Sequence, residues 1–147
     1  MTLWQKLQLK QQHIIALRDT LGIIPKEKVE EVVHQFNPFD AEKTSFYLAF
    51  VQTLQEVDMV TLEIGKLTIT DPVVWLCYPK GSSRKFKCEF NRDNGWEALG
   101  KLGFEPVRQV AIDQDWSALR FRRVQNIQKF TRGFAITNEG KKRIKED

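Results

Sequence analysis

The sequence predicts an α+β fold in two parts. Residues 1–72 read as three helices and a β-hairpin. Residues 73–147 read as a basic, strand-rich part that closes with a helix. Three observations carry this. Apolar residues recur at helical steps through most of the first half, whereas they alternate in the second. The charge divides at the same place: residues 1–72 hold 7 Lys+Arg against 10 Asp+Glu, and residues 73–147 hold 16 against 9. The 147-residue chain is also 41% hydrophobic and 11% aromatic, which suits one core or two small adjoining ones and excludes a wholly disordered chain.

The first helix is expected over residues 2–21, where Leu3, Leu7, Ile14, Leu17 and Leu21 share one face and Lys10 fills the missing step. The same spacing also suits a short coiled-coil seam, hence a homodimer contact. Gly22 ends this helix, and Ile23-Ile24-Pro25 runs extended because a residue before proline avoids helical geometry. Residues 26–36 resume helical spacing with Val29, Val32, Val33 and Phe36, until Asn37-Pro38-Phe39 breaks it. Asp40 is expected to cap a third helix that reaches about Val57 and buries Phe46, Phe50, Val51, Leu54 and Val57. Residues 60–64 and 66–70 then alternate around Gly65, a hairpin pattern closed by Asp71-Pro72.

In the second half, residues 73–79 and 84–90 read as a hairpin about Lys80-Gly-Ser-Ser83. One face carries Val73, Trp75, Cys77, Phe86, Cys88 and Phe90 and is assigned to the core. Trp96, Leu99 and Leu102 suit a short helix ended by Gly103. Two strands follow, over residues 104–112 and 116–124, with Leu119 and Phe121 inward and Arg120 and Arg122 outward. In the tail, Phe134 and Ile136 share a strand face, Thr137 caps a helix, and Ile144 returns to the core.

Three helices followed by a hairpin, over residues 2–71, resemble the winged helix-turn-helix superfamily. The tail is similar to that superfamily's final wing strand and helix, with Phe134, Ile136, Thr137, Gly140 and Ile144 in the pattern positions. The resemblance implies DNA binding and transcription regulation, with the third helix reading the major groove. That helix instead offers Glu42, Lys43, Thr44, Ser45, Gln52, Gln55 and Glu56, a slightly acidic set better suited to packing against protein. Residues 73–147 suit either a second winged-helix-like unit or an unrelated subdomain; one compact domain over the whole chain is a further alternative.

The basic half supplies the candidate site. Arg120, Arg122, Arg123, Lys129 and Arg132 interleave with Phe121, Phe130 and Phe134. Arg84, Lys85 and Lys87 lie on the earlier hairpin, and Lys141 and Lys142 in the tail. Guanidinium groups take phosphates in a forked geometry and rings stack on bases, so the expected partner is DNA or RNA. The alternative is an assembly adaptor, with Trp4, Leu7 and Ile14 as interaction residues in the N-terminal half.

No Gly-rich phosphate loop, Gly-x-Ser-x-Gly elbow or His-Glu-x-x-His is present, so no enzyme and no cofactor are expected. Glu89, Asp93, Asp113 and Asp115 stay open as a metal-binding group assembled in three dimensions. Two cysteines, two distant histidines and no Cys-x-x-Cys argue for free thiols over a zinc site. No apolar run reaches the roughly 18 residues of a membrane span, and the first residues lack the order of a secretory signal. The sequence therefore describes a small cytoplasmic nucleic-acid-binding protein, a transcriptional regulator or accessory factor, that does not enter a membrane.

Overall fold

The computed structural model describes residues 1–127 and 135–146. Its centre is a mixed five-stranded sheet in the order β1-β2-β3-β5-β4. The strands are β1 (Ile15–Arg18), β2 (Phe46–Phe50), β3 (Val73–Pro79), β4 (Phe104–Ala111) and β5 (Trp116–Arg123). β1, β2 and β3 run parallel, and β5 and β4 form an antiparallel hairpin added to the far side of β3. The helices are α1 (Leu3–Lys6), α2 (Lys26–Glu30), α3 (Leu54–Ile64), α4 (Glu97–Lys101) and α5 (Asn138–Glu146). None of the described helices is long and apolar enough to cross a membrane.

The mixed α+β character and the strands expected over 73–79, 104–112 and 116–124 follow the sequence pattern; the strand expected over 84–90 and the three-helix N-terminal part do not. The interval read as one helix over 2–21 contains a single turn, α1, and then β1. Gln8 takes a positive φ of 63°, which ends the helical path directly after Leu7. Ile14 to Leu17 is a continuous apolar run, and such a run fits a strand covered on both faces. The same holds for Phe46-Tyr-Leu-Ala-Phe50, read as part of the third helix and found as β2, buried along nearly its whole length. The hairpin expected over 60–70 is instead the end of α3 and the loop after it. A reciprocal capping box starts that helix: the Thr53 hydroxyl accepts the Glu56 N–H, and the Glu56 carboxylate accepts the Thr53 N–H. Residues 84–90 form no strand; they belong to a long loop between β3 and α4.

The sheet crosses position 72 without interruption, since β2 pairs with β3 from Phe46↔Val73 to Phe50↔Cys77. Every residue of β3 is buried, because both of its faces are covered. On one face Val74, Leu76 and Tyr78 pack with Val57 and Ile64 of α3, Leu99 of α4, and Trp96. On the other Val73, Trp75 and Cys77 pack with Trp4, Leu7, Ile24 and Val32. The Trp75 indole N–H donates to the Leu7 carbonyl at 2.8 Å, and that of Trp4 to the Lys28 carbonyl at 2.9 Å. Each indole thus satisfies a carbonyl while filling the core. The two cysteines fall in different layers: Cys77 is fully buried in the second cluster, and Cys88 is half-buried against the first. The shared face expected for them fails because the second strand of that hairpin is absent.

Candidate nucleic-acid interface

Eight of the ten basic residues singled out in the sequence are among the described residues, and they fall into three groups. Arg84, Lys85 and Lys87 lie on the loop after β3, at the edge where the parallel strands end. All three are exposed, and their side chains meet no carboxylate among the described residues. The loop beneath them is held firmly. The Ser83 hydroxyl accepts the Lys85 and Phe86 N–H groups and donates to Asp115 at 2.8 Å. Phe86 packs its ring on Trp116 at 5.1 Å. The Gln52 amide donates to the Lys87 carbonyl at 3.1 Å, and the Glu89 carboxylate accepts the Leu54 N–H at 3.0 Å. An anchored loop presents its cations with little ordering cost on binding.

Arg120, Arg122 and Arg123 are used differently. Arg122 makes a two-pronged contact with the Asp71 carboxylate, at 3.1 and 2.7 Å. Arg123 donates to the Leu67 carbonyl at 2.8 Å and lies 4.9 Å above the Phe104 ring. Arg120 reaches the Gln8 side-chain oxygen, with its Nε buried and unpartnered among the described residues. The three arginines therefore tie β5 to the α3–β3 loop and to the N-terminal segment. Arg120 and Arg122 do point to the face opposite Leu119 and Phe121, but that face is covered, so outward is not free. Lys141 and Lys142 are exposed on α5, and Lys129 and Arg132 lie outside the described residues.

The candidate interaction residues are also internal. Trp4 and Leu7 are buried in the core and Ile14 is half-buried, so the N-terminal indole closes this chain's own core instead of standing as an exposed anchor. The acidic set does not converge. Asp113 accepts the Asp115 and Trp116 N–H groups, Asp115 accepts from Ser83, and Asp93 pairs with Arg92 at 3.3 Å. No group of three metal-ligating side chains forms among the described residues.

A second half-buried arginine pair repeats the Arg122–Asp71 device. Arg18 holds Glu63 through two hydrogen bonds of 2.8 Å, and the Tyr47 hydroxyl donates to the same carboxylate at 2.6 Å. Arg18, and then Tyr47, hold Glu63 below its ordinary value of 4.5; Arg122, helped by Asn126, holds Asp71 below 3.8. A depressed folded-state pKa contributes stability that is complete above the ordinary value and lost as pH falls through the folded one. The share of the stability that these two pairs supply is therefore expected to stay level from pH 7 to about 5 and to fall below about pH 4. Each pair is about a third exposed, which limits its share to about 1 kcal/mol. Melting curves across pH check this: Glu63→Gln and Asp71→Asn should each flatten part of the acid limb, and an unchanged limb in both would refute the assignment.

Beside the basic loop, where β3 ends against β5 and β4, lies a shallow open cleft of about 280 Å³. Tyr78, Gln109 and Ser117 line it together with Lys80, Arg92 and Asp93 of the loop. The Gln109 amide donates to the Tyr78 hydroxyl at 3.0 Å, and burial pushes the Tyr78 phenol up to about 12. Sequence reasoning missed these residues. Tyr78 and Ser117 look like ordinary strand positions, and only the register Tyr78↔Ser117 brings them together.

No family model matches this chain, and no curated protein does. Among solved structures, a chain of a fibrillarin/Nop5p complex matches with a TM-score of 0.44 and 15% identity over 76% of this chain. The match spans 61% of the length of that chain. A likeness this low assigns neither a fold relationship nor a function.

Proposed function

We propose that the protein binds nucleic acid through its phosphate backbone, as a regulator or accessory factor without catalysis, and that the loop after β3 is the contact surface. One observation supports this above the others. Arg84, Lys85 and Lys87 are exposed, lack carboxylate partners among the described residues, and stand on a loop pinned by Ser83, Phe86 and Gln52. They lie in the half of the chain that carries the excess of basic residues. Structural arginines are tied to carboxylates and carbonyls, as on β5, whereas phosphate-binding ones are left open.

The test is fluorescence anisotropy with labelled duplex DNA, single-stranded DNA and RNA across a salt series. Three to five phosphate contacts on a duplex give a log–log slope of about −3 to −5, hence roughly a 10²-fold loss of affinity between 50 and 200 mM salt. Absence of binding at low salt would refute the reading. A second reading, a protein-interaction adaptor, draws on Met59 and Leu62, which are 62% and 72% exposed on α3.

A further inference from the structure

The cleft at the end of β3 is rich in donors, and several are unengaged. The Tyr78 hydroxyl oxygen accepts from Gln109, so its own proton is free to donate, and no acceptor for it exists among the described residues. Ser117, 5% exposed as a residue, lines the cleft, and its hydroxyl bonds to no described residue. An open hydroxyl beside a free phenolic proton offers two donors to a ligand entering the cleft. Lys80 is half-buried at the rim and meets no carboxylate among the described residues. Arg92 stands nearby, partly neutralised by Asp93 at 3.3 Å.

We propose that this cleft binds a phosphate monoester, carried either by a free mononucleotide or by the end of a nucleic-acid strand. Tyr78 and Ser117 donate from the floor while Lys80 and Arg92 supply charge at the rim. A terminal phosphate presents three oxygens and close to two charges, and so matches a pocket with hydroxyl and cationic donors converging from two sides. An internal phosphodiester offers only two free oxygens and one charge. Tyr78 keeps its proton at neutral pH because burial holds its pKa near 12, so it acts as a donor throughout. Asp93 opposes the anion, which makes it a diagnostic residue. The inference goes beyond the backbone-binding reading and does not depend on it.

The experiment is titration calorimetry on the full chain with adenosine monophosphate and adenosine. Anisotropy with one single-stranded oligonucleotide, carrying a 5′-phosphate or a 5′-hydroxyl, accompanies it. The monophosphate is expected to bind and adenosine not. Lys80→Ala should weaken the monophosphate about tenfold, and Ser117→Ala by a few-fold. Asp93→Asn should tighten it. Preference for the 5′-phosphorylated oligonucleotide by about tenfold would identify a strand end as the source. Equal binding of both oligonucleotides would identify the free ligand. The proposal is overturned if the monophosphate binds no better than adenosine, or if Lys80→Ala and Ser117→Ala both melt normally and bind it unchanged. Arg84→Glu/Lys85→Glu/Lys87→Glu separates the two readings, since it should release the polymer and leave the monophosphate bound.

Discussion

Glu105→Ala is expected to lower the thermal midpoint by about 10 °C, and α5 should be the first element to lose hydrogen-exchange protection. Glu105 is fully buried, a rare place for a carboxylate. It accepts the backbone N–H groups of Ile136 and Thr137 and the Thr137 hydroxyl, at 2.7–3.0 Å. Thr137 in turn accepts the Gly140 N–H at 2.8 Å and so caps α5. The Glu105 carboxyl oxygens sit at the start of the helix, which is docked through them onto the start of β4. Truncation leaves two backbone donors and a hydroxyl buried without this acceptor and opens a void beside them. That combination costs about 3 kcal/mol or more, and in a chain of this size each 1 kcal/mol is worth about 2–4 °C. Glu105→Gln preserves shape and one acceptor oxygen, so its loss should be intermediate. Gly140→Ala attacks the same contact from the other side. A Cβ there would meet the Glu105 carboxylate and come within 2.7 Å of the Thr137 oxygen. A Glu105→Ala variant that melts like the native protein would refute this account.

The same corner shows what was legible in the sequence. The run from Ile136 to Ile144 pointed to a capped helix, and the cap at Thr137 is found. The reason for Gly140 was invisible, because it depends on a carboxylate some thirty residues earlier in the chain. The alternation of Trp116 to Arg123 placed Leu119 and Phe121 in the core correctly, since β5 is long enough for period two to dominate. The first half misled for a physical reason. Strands buried on both faces do not alternate, and within Ile14–Leu17 and Phe46–Phe50 a short apolar run fits a helix face as well as a strand. Thr53-x-x-Glu56 was the available signal that the helix begins where the third helix was expected to end. The candidate site was half legible. Charge and spacing identified the basic residues, but they could not separate the arginines that brace β5 from the cations left open on the loop after β3.

That separation yields the other large effect. Arg84→Glu/Lys85→Glu/Lys87→Glu is expected to weaken nucleic-acid binding by 10²-fold or more at moderate salt, and to flatten the salt dependence by about three contacts. Its melting temperature should stay near that of the native protein, since these side chains touch no carboxylate among the described residues and the loop is pinned by other groups. Reversing Arg120, Arg122 and Arg123 should do the opposite to the fold. It would place carboxylates against Asp71, against the Leu67 and Ile69 carbonyls, and beside the Gln8 oxygen. Each position loses a donor and gains repulsion in a half-buried setting, so this triple variant should unfold or melt far below the native protein. The two variants carry the same change in net charge. A fall in melting temperature confined to the second therefore reports the structural use of the β5 arginines, and binding is read on the first, which keeps its fold. If the loop variant binds as the native protein does, the loop is not the interface, and the exposed lysines of α5 become the remaining described candidates among the basic residues singled out in the sequence.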